Sequence, residues 1–571
     1  MSSQPDDLPS NDDRLQADSD GPRRRPSRRA FIGAAGAAGV TAAVVVATPS
    51  VAGALDERRR GDRPPREGDR GRGGRGDRGR PDVEANDGST GSLSTVPADG
   101  PDRFSRMFER RNIDRRDADD MRAALTELSR PGGILDANDP LDIGPIRLIT
   151  EPELSPNNTD NPTITAGNTF VGQFLDHDLT RDAGSRLGRP EALDRSTNLR
   201  TARFDLDSVY GGGPGESTDL YDDNFRFLVE SGGQFEDLPR DADMQAIVAD
   251  PRNDENLIVS GLQVAFLLFH NAVIERVEAT GLSGADAFVE AQRIVRWHYQ
   301  WMVLHEYLPA IVGDELIADI RQNGRQFYIP SRPTIPVEFQ TAAFRFGHSQ
   351  VRPSYRANLA GDDGEPFFAM VFDPATFGDA DPNDLTGGHR APRRFIGWQT
   401  FFDFGDGEVK PNKTINPKIS TPLFRLPSST LPMDRGGDLG PTSLATRNLL
   451  RHLTWRIPTG QEVARQMGVD QLSNADLSAF GDFGGDLDSA TPLWLYILRE
   501  AELIAAGHTL GPVGGRIVAE VFLGLLEMDA TSYLQADPSW RPTLPSRNEA
   551  TEFGMADILT IAGVDPDSRG Q

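Results

Sequence analysis

Apolar residues recur with helical spacing in three stretches of this chain. The pattern predicts a long helix over 257–277, a second over 285–312 and a third over 491–506. Asn253 or Asp254, just ahead of the first, has the side chain expected of an N-cap. Gly/Pro/Asp-rich segments such as 361–388 separate the periodic stretches and read as long loops. The fold class predicted from these elements is mainly α.

The N-terminal part follows a different rule. Ser27-Arg28-Arg29-Ala30-Phe31-Ile32 leads directly into an Ala/Gly/Val-rich run, 31–54, that ends in Ala52-Gly53-Ala54. This is the pattern of a twin-arginine signal peptide with a small-residue cleavage site. It predicts export by the twin-arginine machinery to an extracellular, periplasmic or cell-surface location. The run is long enough to span a bilayer, but its glycines and alanines make it only weakly hydrophobic. No stable membrane partner is expected. Residues 55–100 are rich in Arg, Gly, Asp and Pro, with repeats such as Gly61-Asp62-Arg63 and Gly76-Asp77-Arg78. They lack the apolar side chains a core requires and read as a disordered linker. The expected organisation is a signal with its N-terminal extension at 1–54, a linker at 55–100 and a folded catalytic domain at 101–565.

Composition narrows the chemistry. The chain of 571 residues has a formal net charge of −26 and a pI near 4.8, which argues against nucleic acid as a partner. It has no cysteine, so disulfides, iron–sulfur clusters, a thiolate haem ligand and a cysteine nucleophile are all excluded. Lys410, Lys413 and Lys418 are the only lysines, and arginine carries almost all the positive charge.

Chemistry concentrates in Gly172-Gln173-Phe174-Leu175-Asp176-His177-Asp178-Leu179-Thr180. On a helix Gln173, Asp176, His177 and Thr180 share a face, while Asp178 points about 100° away. The segment resembles the distal-histidine helix of the animal-type haem peroxidases, the superfamily of myeloperoxidase, lactoperoxidase and peroxidasin. The resemblance implies that His177 stands over the haem iron, that Asp176 can form an ester to the haem, and that Asp178 binds calcium. Further motifs repeat it in order. Ala249-Asp250-Pro251-Arg252-Asn253-Asp254-Glu255 is similar to the family's Gly-Asp-x-Arg-x-x-Glu, which implies a distal arginine, Arg252, and a second ester-forming carboxylate, Glu255. Asn256 stands where myeloperoxidase has a methionine joined to the haem, so that link is absent. Thr201-Ala202-Arg203-Phe204-Asp205-Leu206-Asp207 resembles the family's calcium loop, with Thr201, the Arg203 carbonyl, Asp205 and Asp207 as oxygen ligands beside Asp178. Phe344-Arg345-Phe346-Gly347-His348-Ser349 resembles the proximal segment, in which His348 binds iron and Arg345 pairs with a haem propionate. Asn448-Leu449-Leu450-Arg451 is similar to the family's Asn-x-x-Arg, with Asn448 orienting His348 and Arg451 on a propionate. His270-Asn271 reads as helix packing.

The resemblance implies a mainly α domain around a central haem b, with very little β. It further implies calcium as a second cofactor. The implied reaction is reduction of hydrogen peroxide through an oxyferryl intermediate, with oxidation of a halide, thiocyanate or phenol. His177, Arg252 and Gln173 form the distal trio. Two alternatives are a fatty-acid dioxygenase, whose radical tyrosine lies three residues before the proximal histidine, and a secreted haem- or calcium-binding structural protein. Arg345 occupies the tyrosine's position and Phe346 cannot form a tyrosyl radical, so the peroxidase is preferred.

Overall fold

Asn256 side-chain Oδ1 accepts from Val259 N at 3.0 Å and starts the helix Leu257–Glu278. The expected caps were Asn253 and Asp254. Those residues instead belong to a preceding 3-10 turn, Pro251–Asp254, capped by Asp250, because Pro251 fixes its own φ and starts the turn early. The structure is a computed structural model. It describes residues 103–571 except 110–114, 183, 232–234, 362–363, 380, 389–391 and 435. The expected signal at 1–54 and linker at 55–100 lie outside the described residues.

The Leu257–Glu278 helix has a mean hydropathy of 1.9 and is long and apolar enough to cross a membrane by length and composition, but 83% of that window is buried within the protein. It packs against Gly284–Met302, Ala166–Leu179 and Met555–Ala562. Phe266 on this helix stacks on Phe174 of Ala166–Leu179, with ring centroids 4.8 Å apart. The helix that will carry His177 is thereby held against the core by its apolar face.

The expected helix over 285–312 is continuous only as far as Met302. It widens into a π-turn, Val303–Tyr307, before resuming as Leu308–Val312. Pro309 has no N–H to give the carbonyl four residues back, so the hydrogen-bond register slips by one. The third expected helix is observed as Leu493–Ala505. The 361–388 segment is largely irregular, with a short strand, Phe368–Met370, and a 3-10 turn, Pro374–Thr376. Strand structure among the described residues amounts to three two-stranded antiparallel pairs. The mainly helical fold class holds. The folded unit runs past the expected end at 565: Arg569 Nη2 meets Glu236 Oε2 at 3.0 Å, and Gln571 Nε2 donates to Ala360 O at 3.0 Å.

Glu500 joins two core helices. It is fully buried, and its carboxylate accepts from Val513 N at 3.0 Å and Gly514 N at 3.2 Å, the first amides of Pro512–Met528. Burial pushes this carboxyl up to about 7, against the opposing pull of those amides. The folded state therefore holds the proton more tightly than the unfolded chain. Its stabilising contribution is complete below about pH 4.5 and is lost as pH rises through about 7. Glu500→Gln, which cannot ionise, should remove a loss on the order of 3 kcal/mol between pH 5 and pH 8. Urea unfolding of both proteins at the two pH values checks this. A difference between them that does not change with pH would contradict it.

Candidate functional site

The helix Ala166–Leu179 brings its polar face to the interior because its other face is fixed by Phe170, Phe174 and Leu175, all buried. Gly172 sits directly against the Tyr307 hydroxyl, leaving no room for a Cβ. One turn on, His177 is buried, and its Nδ1 lies 2.8 Å from Asn253 Oδ1. The Asn253 amide has one orientation available. Its Nδ2 faces the Ser208 carbonyl at 3.5 Å and Gln263 Oε1 at 2.8 Å, and a backbone carbonyl can only accept. Asn253 Oδ1 must therefore accept, and His177 Nδ1 carries the proton. The Nε2 lone pair is left free, 3.5 Å from Glu255 Oε1.

Arg252 Nη2 donates to the His177 carbonyl at 3.0 Å and to Asp250 Oδ2 at 2.7 Å, while Nε donates to Asp250 Oδ1 at 3.1 Å. Nη1 is the atom these bonds leave over. Arg200 Nη2 shares the same Asp250 oxygen at 2.7 Å. Burial alone would raise the Asp250 carboxyl, but Arg252 and Arg200 hold it well below the usual carboxylate range. Gln173 donates to Glu255 and accepts from Asn256 Nδ2 at 3.2 Å. Thr180 Oγ1 donates to Asp176 Oδ1 at 3.0 Å. The structure thus brings together Gln173, Asp176, His177, Arg252 and Glu255.

Asp178 turns to the opposite side. It accepts from Leu206 N at 3.1 Å, Ser208 Oγ at 3.4 Å and the Tyr299 hydroxyl at 3.0 Å. Asp178, Asp205 and Asp207 are all buried, with ligand oxygens within 4.8 Å of one another. Thr201 Oγ1 donates to Asp205 Oδ1 at 2.8 Å and Thr201 N to Asp207 Oδ2 at 2.9 Å. Leu206 adopts φ +59°, an uncommon conformation for a side-chain-bearing residue, and in it the Leu206 amide reaches Asp178. Burial, then Asp205, pushes the Asp178 carboxyl up to about 7. Burial raises Asp205 as well, and burial with Asp205 and Asp178 raises Asp207. Asp207 Oδ1 has no hydrogen-bond partner. Three buried carboxylates this close suit a hard divalent cation that neutralises them. Thr201 and Arg203 belong to the same loop, and the Arg203 charge acts on Asp205.

On the other side of the site, the 3-10 segment Ala343–Ser349 packs against Ala166–Leu179. His348 Nδ1 lies 2.7 Å from the Asn448 amide. Asn448 Oδ1 is buried with no partner. The two ends of an amide have the same shape, so turning it over places that oxygen on His348 Nδ1–H and frees Nε2 as a ligand atom. Burial, then Arg345 and Arg451, pushes the imidazole down to about 3, so it is neutral. Arg345 is itself lowered to about 9, by burial and Arg451, and Arg447 to about 10 for the same reasons. Arg451 meets Asp182 at 3.5 Å, and its Nε and Nη1 lack hydrogen-bond partners. Such a gathering of guanidiniums favours anionic groups, and propionates match it.

These residues fit a haem. Gln173, Asp176, Arg252, Glu255, Arg345, His348 and Arg451 are only half-buried although the elements around them are buried. A Cβ added at Gly347, beside His348, would meet nothing within 4 Å. The side chains therefore face open space.

Sequence reasoning missed Asn253, Gln263, Asp250, Arg200, Tyr299 and Arg447. Asp250 lay inside a quoted motif, and its spacing of two residues from Arg252 was a usable signal. Tyr299 reaches Asp178 from a distant helix and left no local trace. His270 is buried in the core, with Tyr210 Oη 3.0 Å from its Nδ1.

Residues 186–375 match the family model for animal haem peroxidase. Peroxidasin homolog pxn-2 of Caenorhabditis elegans is 27% identical over 176 residues, covering 27% of this chain and 13% of that protein. Human thyroid peroxidase is 30% identical over 112 residues, covering 19% of this chain and 12% of that protein. The thyroid peroxidase of Sus scrofa is 26% identical over 302 residues, half of this chain but only 30% of that protein. Among solved structures, peroxidase A of Dictyostelium discoideum aligns with a TM-score of 0.54 at 15% identity, covering 81% of this chain and 93% of that one. A fatty acid alpha-dioxygenase of Oryza sativa aligns at 0.52 and 14%, covering 81% and 79%. At these identities the structural likeness shows the fold.

Proposed function

We propose, from the match of residues 186–375 to the family model for animal haem peroxidase, that this chain is a haem-dependent peroxidase that reduces hydrogen peroxide and oxidises a small donor such as a halide, thiocyanate or phenol. The observation that carries the reading is the contact of His177 Nδ1 with Asn253 Oδ1: Asn253 accepts from Nδ1–H, which leaves Nε2 as the base, while Arg252 donates to the carbonyl of the same residue. His348 Nε2 would hold haem b, which would supply redox-active iron chemistry. His177 Nε2 takes one proton from hydrogen peroxide and returns it to the departing oxygen, a general acid–base relay on a single atom. Arg252 Nη1 stabilises the negative charge that develops as the O–O bond breaks. Asp250 keeps that guanidinium fixed and charged. Asn448 orients His348 and strengthens it as a donor. Arg345 and Arg451 take the propionates, with Arg447 adding to their field. Asp176 and Glu255 are the carboxylates available for ester bonds to the haem.

Asp178, Asp205, Asp207, Thr201 and the Arg203 carbonyl bind calcium in this reading. Because Asp178 follows His177 in the chain, the cation fixes the turn that aims the base. The twin-arginine motif, Ser27 to Ile32, supports export, with 1–54 as signal, 55–100 as linker and the catalytic domain beyond. The fatty-acid oxygenase reading needs a phenol three residues before His348, and Arg345 stands there.

Arg252→Ala tests the arrangement. Asp250 remains paired with Arg200, so the fold should survive and haem should bind, while the peroxide reaction slows by about 10²–10³-fold. Stopped-flow absorption of the haem-loaded protein reads this. An unchanged rate would remove Arg252 from the mechanism.

A further inference from the structure

The helix Gly284–Met302 is held on two faces. Arg296, Tyr299 and Gln300 fall at i, i+3 and i+4 and share one of them. Arg296 Nε donates to Asp205 O at 2.7 Å, the Tyr299 hydroxyl to Asp178 Oδ2 at 3.0 Å and Gln300 Nε2 to Phe204 O at 2.9 Å. This face grips the loop of the three buried carboxylates. Trp297, His298 and Trp301 lie on the other face. It is covered by a segment without regular structure, 537–549, between the short helix Tyr533–Ala536 and the 3-10 turn Ala550–Glu552. Trp540 of that segment stands edge-on to Trp297 and His298, with ring centroids 5.4 and 5.0 Å away. Gln300 joins the two sides: its Oε1 accepts from Tyr533 N at 3.1 Å while its Nε2 holds Phe204 O.

His298 fastens the segment. It is fully buried. Its Nδ1 lies 2.7 Å from Ile294 O, and a carbonyl only accepts, so Nδ1 carries the proton. Nε2 is then a lone pair, to which Thr543 N and Leu544 N both donate, at 3.0 and 3.1 Å. Pro542 and Pro545 have no N–H to give. Among the described residues, those two are the backbone hydrogen bonds that tie 541–546 to the rest of the fold. The arrangement has no protonated counterpart, because a proton on Nε2 would face two N–H groups that cannot accept it. His305, which stacks on Trp301, differs. Its Nε2 meets the Tyr533 hydroxyl at 3.1 Å, and a hydroxyl accepts as well as donates.

We propose that His298 is an acid-sensitive latch: protonation releases the 537–549 segment from the back of the helix and, through Gln300, loosens the calcium loop on its front. Burial holds the ring down at about 4, against the pull of the Ile294 carbonyl, and Arg293 adds to the fall. The closed state therefore binds the proton less readily than the open one. Closure is fully effective above the ordinary value of 6.5 and is lost as pH falls through about 4. Arg293 is the charge on the same helix, and Arg541 and Arg547 are those of the segment. Beyond them Asp557 accepts from Arg547 N at 2.6 Å, and Glu306 from Met555 N at 2.7 Å. The effect on calcium rests on the reading of Asp178, Asp205 and Asp207; the latch does not.

The test is hydrogen–deuterium exchange of the full chain supplied with haem and calcium, read at the Thr543 and Leu544 amides in the parent and in His298→Gln. The glutamine carbonyl accepts in place of Nε2 and does not titrate, and every other charged group is the same in both proteins. Between pH 8 and pH 5, exchange in the parent relative to that variant should accelerate about 30-fold. His298→Phe, with no acceptor, should exchange fast at both pH values. An identical pH response in the parent and His298→Gln, or slow exchange in His298→Phe, overturns the latch. Terbium in the carboxylate site reads the coupling: at pH 5 it should leave the parent several-fold faster than it leaves His298→Gln. Equal release from the two, with the segment open in the parent, overturns the coupling and supports the latch alone. Terbium that binds neither protein at pH 8 contradicts the calcium reading instead.

Discussion

His177→Leu is expected to slow the reaction with hydrogen peroxide by about 10²–10⁴-fold while leaving haem bound. The argument starts from hydrogen bonds that are independent of haem. Ser208 O fixes the Asn253 amide, Asn253 fixes the proton on His177 Nδ1, and Nε2 is the only base left on that ring. Leucine fills the same volume without a lone pair, so the proton relay is lost and the packing is kept. His348 lies on a separate segment and keeps its neutral imidazole, so the ferric spectrum of the variant should match that of the parent. Pre-steady-state absorption at several peroxide concentrations gives the second-order constant. A constant within threefold of the parent would mean that another group moves the proton.

The second large effect is expected on removing calcium. Asp178, Asp205 and Asp207 are buried together, and each carboxyl is raised, first by burial. Like charges enclosed in a low dielectric repel strongly unless a cation sits among them. A ligand present at about 1,000 times its Kd adds about 4 kcal/mol to the folded state, so chelation should lower Tm by several degrees. The same treatment should slow the peroxide reaction, since Asp178 anchors the end of the helix that aims His177. Terbium offers a direct readout. Tyr299 donates to Asp178 at 3.0 Å and would sensitise terbium luminescence at this site. Luminescence lost in Asp207→Ala and displaced by calcium is the expected result. A Tm indifferent to chelator, with no sensitised luminescence, would leave the three carboxylates without their proposed ion.

What the sequence made legible is local. The turn 172–180 exposed its chemistry because a helix converts spacing into direction: His177 and Asp176 fall on one face and Asp178 on another, and the hydrogen bonds follow that division. The long helix at 257 was equally plain, since apolar residues that recur at helical spacing across a 22-residue stretch have few other solutions. Its cap was misjudged by two or three residues because Pro251 starts a turn of its own. The break at 303 was missed because a π-turn depends on one absent amide, at Pro309, within an otherwise unbroken pattern. The partners that set protonation were the hardest to see. Gln263 lies on the face of a core helix that reads as packing, and Tyr299 is far from Asp178 in sequence. Both act through contacts that only the tertiary fold creates. The guanidinium cluster was half visible: Arg345 and Arg451 came from motifs, whereas Arg447 enters because its helix turns it toward Arg451.

The most direct measurement is the absorption spectrum of the purified protein loaded with haem and calcium, before and after one equivalent of hydrogen peroxide. The account predicts a histidine-ligated ferric spectrum that converts within the mixing time to a distinct two-electron-oxidised form and returns to ferric when a donor is added. Haem binding with no such conversion would contradict the peroxidase and favour a structural haem protein. Failure to bind haem at all would contradict the site.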